Sequence, residues 1–347
     1  MLLRNAAEID TNFSTPKAVQ RDGLTYYNAE NFDVYGLKYI DGVYRRMRYG
    51  DALAVSEKVA LISSESAGGR VRFATDSPYV AIFVKYRSVA KVANYSHTAT
   101  MGFDLYSTER YEGCFVPDIN TLDTLESVLD IEEPHGFKAY TLNFPVCSEI
   151  SELYIGVKAG SRIEKAPAYA IKKPVVFYGS SVTQGACASR PGNTYANMIS
   201  RALDCDYLNL GFWGNAKGEK AMADYVANLE MSAFVYDYDY NTDNAAHLQA
   251  THERMFRIIR ERNPELPIVI LSAPRYYLNE EMKKRRSIIE QTFQNAVKAG
   301  DKKVCFISGQ EMLEEVKDTA LADNIHPGDT GFACMARHIG NALKALL

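Results

Sequence analysis

No cysteine pair in this 347-residue sequence is spaced as CxxC. Its six cysteines, at 114, 147, 187, 205, 305 and 334, also lack histidines at zinc-site spacing. That excludes a zinc knuckle and a disulfide-stapled miniature fold, and it predicts six free thiols in a reducing compartment. No window approaches about 18 uninterrupted apolar residues, so no transmembrane helix and no membrane partner are expected. The charges, 39 Lys+Arg against 43 Asp+Glu for a net −4, form no single-sign block. A basic stripe for phosphates is missing, so no nucleic-acid partner is expected. The opening MLLRNAAEID holds no apolar stretch of signal-peptide length. A cytoplasmic location is therefore the expectation, with secretion the alternative if a leader has been removed. What is present is an ordinary globular balance, 47% hydrophobic and 24% charged. The length exceeds one domain of about 150 residues, so two domains are expected.

The two halves differ in period. Residues 1–165 read as a β-sandwich, jelly-roll-like, with short β-branched and aromatic runs at Arg70–Asp76, Tyr79–Tyr86, Met101–Ser107, Phe137–Phe144 and Leu153–Val157. Ser77-Pro78 marks a turn between the first two runs. Thr121–Leu129 is the single stretch in this half with a helical look. In residues 166–347, apolar strand candidates alternate with amphipathic helix candidates. The strands are Val175–Tyr178, Tyr207–Leu210, Ala233–Tyr238, Ile268–Leu271 and Val304–Ile307. The helices are about Thr194–Leu203, Lys217–Leu229, Ala245–Arg260, Glu280–Ala299 and Gly328–Leu346. Short apolar strands covered by helices predict a five-stranded parallel sheet in a flavodoxin-like α/β/α three-layer domain. A linker of low periodicity, about Ala159–Lys173, joins the halves.

Pro174–Gly185 reads PVVFYGSSVTQG, a buried strand running into Gly179-Ser180-Ser181. In an open parallel sheet, ligands bind at the strand C-termini. A serine there meets free backbone N–H groups that can hold an oxyanion. The same sequence is also compatible with a serine-rich turn or helix cap. It lacks GxGxxG and Gly-Lys-Ser/Thr spacing, which argues against a phosphate loop, and Thr183 breaks the G-x-S-x-G elbow. Near the C-terminus, Asp323-Asn324-Ile325-His326-Pro327 places a carboxylate and an imidazole three residues apart before the last helix. A serine nucleophile needs such a base, and the base needs an orienter for its other nitrogen.

These blocks resemble the SGNH/GDSL hydrolase superfamily. Gly179-Ser180-Ser181-Val182-Thr183 matches the family's Gly-Asp-Ser-x-(Ser/Thr) except at Ser180, and Asp323-Asn324-Ile325-His326 matches Asp-x-x-His. GSSVTQGACASRPGNTY and the β-rich first half are similar to SGNH carbohydrate esterases with an N-terminal jelly-roll-like domain. The resemblance implies Ser181 as nucleophile and His326 as base, with Asp323 completing the triad. It implies an oxyanion hole from the N–H groups of Ser181 and Gly214, with Gly211 the alternate glycine. The third block, Gly-x-Asn-Asp, is broken in Asp237-Tyr238-Asp239-Tyr240-Asn241. Asp239 occupies the gapless Asn position but is a poor donor, so Asn241 is expected to supply the side-chain N–H. Trp213, Asp239 and Arg190 are candidate substrate contacts.

The expected activity is hydrolysis of a small ester, an O-acetyl group on a carbohydrate, with no metal and no organic cofactor. The expected partner is a small-molecule or oligosaccharide ester. A metal reading of the Asp237–Asp239 turn finds no matching His or further carboxylates around it. Two alternatives stand beside the esterase: a lipase or thioesterase on longer acyl chains, and a noncatalytic carbohydrate-binding protein.

Overall fold

The structure is a computed structural model, and it describes residues 23–108, 110–118, 120–132 and 136–347. The opening stretch read for a leader lies outside the described residues. The chain divides into two compact units. The first comprises residues up to Arg46, Ser64–Ala168 and Ser189–Gly192; the second comprises Met47–Ser63, Tyr169–Ala188 and Asn193–Leu347.

The first unit holds β1 (Leu24–Asn28), β2 (Asp33–Tyr35), β3 (Lys38–Ile40), β4 (Val43–Arg45), β5 (Arg70–Thr75) and β6 (Tyr79–Val89). It continues with β7 (Phe103–Ser107), β8 (Tyr111–Phe115), β9 (Thr124–Asp130), β10 (Lys138–Asn143), β11 (Ser148–Lys158) and β12 (Ile163–Lys165). One antiparallel sheet runs β1-β11-β6-β9; the other runs β12-β5-β10-β7-β8, with β2 also on β5. Val80, Ile82, Val84, Ile150 and Ile155 from the first sheet share one core with Val71, Phe73, Phe103, Leu105 and Leu142 from the second. Alternating residues along each strand thus fill a sandwich, as expected. The Ser77-Pro78 turn carries the chain from one sheet to the other, since β5 and β6 do not pair.

Two expectations about the first half need correction. Thr121–Leu129 is not helical: Thr124–Asp130 is β9, paired with β6 in register from Tyr79↔Asp130 to Lys85↔Thr124. Pairing with a long buried strand overrides a weak local helical pattern. Conversely, Tyr49–Val55 and Glu57–Ile62 are helices in a stretch read as β. Ser56 ends the first and caps the second by accepting from Val59 N–H. Ala52, Val59, Ala60 and Ile62 pack with Met222, Ala223 and Val226 in a core of the second unit.

The second unit holds β13 (Ile171–Gly179), β14 (Cys205–Gly211), β15 (Ala233–Asp237), β16 (Ile268–Leu271) and β17 (Val304–Ile307) in one parallel sheet of order β14-β13-β15-β16-β17. Relative to chain order this is 2-1-3-4-5, the flavodoxin-like arrangement that was expected. Successive side chains of β13 go to opposite faces. Val176 and Tyr178 pack with residues of helices Lys220–Ala227, Ala245–Arg262 and Glu280–Lys298. Val175 and Phe177 pack with residues of helices Tyr195–Leu203 and Asp329–Leu346. Both faces are apolar because both are covered, which is why the strands read as unbroken hydrophobic runs. Burying one such side chain contributes about 1.5–3 kcal/mol. Among the described residues, no helix is long and apolar enough to cross a membrane, and all six cysteines are free.

Candidate active site

Three adjacent strands end level. Gly179 of β13 pairs in register with Gly211 of β14 and with Asp237 of β15. The loops carrying Ser181, Gly214 and Asn241 therefore leave one edge of the sheet side by side. Gly179 cannot be larger: a Cβ there would come within 2.0 Å of Asp237 O and 2.1 Å of Thr183 Oγ1. Past it, Ser180 caps the short helix Ser181–Gln184 by accepting from Val182 N–H. Ser181 is the first residue of that helix, and its N–H has no partner among the described residues.

Ser181 Oγ is 2.8 Å from His326 Nε2. His326 Nδ1 is 2.8 Å from Asp323 Oδ2. The other carboxylate oxygen, Asp323 Oδ1, accepts from the backbone N–H groups of Ile325 and His326, each at 2.7 Å. The Asp-x-x-His spacing lets one carboxylate fix both the loop and the imidazole. Partial burial alone would raise the Asp323 carboxyl. The His326 and Ile325 N–H donors and the imidazole outweigh it and hold that carboxyl well below the usual carboxylate range. Ionised, it accepts the Nδ1 proton, which leaves the Nε2 lone pair facing the serine hydroxyl. This chain of contacts can take a proton from a serine and return it to a leaving group.

The profile of the GDSL-like lipase/acylhydrolase family matches residues 172–344, and the profile of the N-terminus of SGNH-hydrolase-type esterases matches residues 24–163. The chain belongs to this family. A protein described as a GDSL-like lipase from Bacteroides ovatus is 26% identical, with TM-score 0.84 over 93% of this chain and 98% of its own. A salicylyl-acyltransferase from a tetracycline biosynthetic pathway is 20% identical, with TM-score 0.71 over 95% and 96%. A family two carbohydrate esterase from Clostridium thermocellum is 13% identical, with TM-score 0.64 over 93% and 98%. At such identities the last two show a shared fold. No curated protein matches the sequence.

In this SGNH esterase the remaining candidates separate by what their polar atoms are doing. Gly214 is exposed at φ 71, and its N–H has no partner among the described residues. The Gly211 N–H instead donates to Asn209 Oδ1 at 2.8 Å. Asn241 Oδ1 accepts from Ala216 N–H at 3.2 Å, which ties two of the loops together and turns the amide so that its Nδ2 is left without a partner among the described residues. Asp239 is buried, accepts from Ala273 N–H at 3.0 Å, and has its carboxyl raised to about 6, chiefly by burial. It braces the loop after β16. Trp213 is 40% exposed, and its backbone N–H donates to Gln184 Oε1 at 3.1 Å. Arg190 is engaged within the first unit: its Nη1 is 3.0 Å from Asp104 Oδ2, and its guanidinium lies 3.8 Å over the Tyr111 ring.

Sequence reasoning passed over three neighbours. Thr183 donates to Asp237 Oδ2 at 2.9 Å, and Tyr195 OH donates to the same oxygen at 3.1 Å. This buried network sits directly beneath the Ser181 turn, and burial pushes the Asp237 carboxyl up to about 7. Cys187 places its thiol 3.6 Å from Asp323 Oδ2. Burial and that carboxylate push the thiol up to about 12, so it is a neutral donor. The sequence offered no signal for it beyond a cysteine near the nucleophile.

Proposed function

We propose that this esterase removes a small acyl group, an O-acetyl on a carbohydrate, through an acyl-enzyme on Ser181. The observation that carries the reading is the relay from Ser181 Oγ to His326 Nε2 and from His326 Nδ1 to Asp323 Oδ2, 2.8 Å at each step. His326 takes the Ser181 proton as Oγ bonds to the acyl carbon, and the carbonyl electron pair moves to oxygen. The oxyanion rests on the N–H groups of Ser181 and Gly214 and on Asn241 Nδ2. Collapse of the intermediate breaks the bond to the sugar oxygen, which receives the proton from His326. A water deprotonated by His326 then attacks the acyl carbon, the free acid leaves, and Ser181 regains its proton. Asp323 stays ionised throughout and holds the imidazole in the required tautomer.

The small-acyl and sugar preferences are supported by the small-residue stretch Gly185–Asn193 (GACASRPGN) next to the nucleophile, which carries no large apolar side chain for a long acyl chain to lie against. The fold shared with a family two carbohydrate esterase supports them too. A second reading, hydrolysis of longer acyl esters, is favoured by the likeness to a GDSL-like lipase. One panel separates the two: acetylated sugars and p-nitrophenyl esters of rising chain length, assayed on wild type and Ser181→Ala. The proposal expects the highest kcat/KM on acetylated sugars and none with the variant. A kcat/KM that climbs with chain length favours the lipase reading.

A further inference from the structure

Cys187 takes no part in the acyl-transfer scheme, yet it stands at its electrostatic centre. Its Sγ is 3.6 Å from Asp323 Oδ2, the same oxygen that lies 2.8 Å from His326 Nδ1. One ligand atom from each of Cys187, Asp323 and His326 falls within 4.8 Å of the others. Among the described residues, this is the single place where three such side chains gather.

We propose that Cys187 Sγ, Asp323 Oδ2 and His326 Nδ1 form a binding site for a thiophilic divalent cation of the Zn2+ class, and that the bound ion switches the esterase off. The inhibitory half rests on the triad reading given above.

The donor set selects the ion. Thiolate, imidazole and carboxylate suit a borderline-soft metal, whereas Mg2+ and Ca2+ want six or more oxygens. The dimensions also suit it. Bonds of about 2.3 Å to sulfur and about 2.0–2.1 Å to nitrogen and oxygen put neighbouring ligands about 3.3–3.6 Å apart around a tetrahedral ion. The S···O edge is already 3.6 Å. The O···N edge, 2.8 Å while the two atoms share a proton, opens by about half an ångström when the ion replaces that proton. A solvent water completes the fourth position.

The protons account for the loss of activity. In the resting enzyme the imidazole carries its proton on Nδ1 and presents the Nε2 lone pair to Ser181. A metal needs the Nδ1 lone pair, so the imidazole proton moves to Nε2. Nε2–H cannot accept the Ser181 proton, and the serine loses its base. The thiol releases one proton to solvent. Thiolate, carboxylate and a neutral imidazole then balance the charge of the dication. Because two of the ion's ligands, Asp323 Oδ2 and His326 Nδ1, are the relay's own atoms, metal binding and ester hydrolysis exclude each other.

The test uses chelator-treated full-length protein. Zn2+ is titrated against p-nitrophenyl acetate hydrolysis in wild type, Cys187→Ala and Cys187→Ser, each scored against its own metal-free rate. Wild type should be silenced by micromolar Zn2+ and recover with a chelator. Both variants should need over about 100-fold more metal, since losing even an outer partner of a metal ligand costs about 10–100-fold. In parallel, Cd2+ is added to Ser181→Ala with and without Cys187→Ala, and the thiolate-to-cadmium ultraviolet band is recorded. That band reads the site without any activity, so it remains decisive even if wild type hydrolyses none of the esters. It should form with Cys187 present and vanish without it. Equal Zn2+ sensitivity of wild type and Cys187→Ala, a Zn2+-stimulated rate, or a band that survives Cys187→Ala overturns the proposal.

Discussion

Replacing Asn241 by aspartate separates the two candidates for the third oxyanion donor. Asn241→Asp keeps the atom that accepts from Ala216 N–H at 3.2 Å, so the tie between the loops after β14 and β15 survives. What it removes is the Nδ2 amide, which has no other partner among the described residues. An oxyanion donor acts where charge develops, so its loss should fall on kcat and leave KM nearly unchanged. One lost donor costs about 3 kcal/mol, or roughly 100-fold in kcat, and the new carboxylate charge can only deepen the loss. The matched control is Asp239→Asn, which retains an acceptor for Ala273 N–H, the contact Asp239 makes at 3.0 Å. Its kcat should stay within about threefold of wild type. The assay is steady-state hydrolysis of p-nitrophenyl acetate, with Tm recorded for each variant. If Asn241→Asp keeps the wild-type kcat at unchanged Tm, the donor has been misassigned.

Other outcomes follow from the same geometry. Asp323→Asn should lower kcat by up to about 10,000-fold, because an amide facing Nδ1 favours the wrong imidazole tautomer; a loss under about tenfold contradicts the orienting role. Gly179→Ala should lower Tm markedly and express poorly, since its Cβ would meet the Asp237 carbonyl at 2.0 Å; a wild-type Tm would show that the turn is not close-packed. Asp237 tests the buried network through pH. Its folded pKa of about 7 lies above the unfolded value of about 4, so its contribution to stability is full below pH 4 and is lost as pH rises to about 7. Asp237→Asn stays neutral, and its stability should fall less steeply across that window, by at most about 1.4 kcal/mol per pH unit. Equal slopes for the two proteins in chemical denaturation would refute the shift.

The relay was readable in the sequence because its chemistry is local. Gly179-Ser180-Ser181 follows a strand on the spot, and Asp323 reaches His326 within one turn of chain. The parallel sheet was readable for a similar reason: each strand is buried on both faces, so β16 and β17 stand out as apolar runs with sharp ends. Long-range partners decided the rest. Tyr49–Val55 and Glu57–Ile62 are helices because their small apolar faces fit against Lys220–Ala227, more than a hundred residues away. Neither is long enough to announce itself by periodicity. Thr124–Asp130 is a strand because β6 is there to pair with it. The commitment of Arg190 to Asp104, and the reach of Cys187 to Asp323, depend on side chains that no spacing rule brings together.

The central claim is that Ser181 is a nucleophile activated by His326. A serine-directed alkyl phosphonate, added to wild type, Ser181→Ala and His326→Ala and followed by peptide mass spectrometry, tests it most directly. The account predicts a single adduct on Ser181 in wild type, none on Ser181→Ala, and labelling slowed by about 1,000-fold or more in His326→Ala. An adduct on another serine, or labelling of His326→Ala at the wild-type rate, would contradict it.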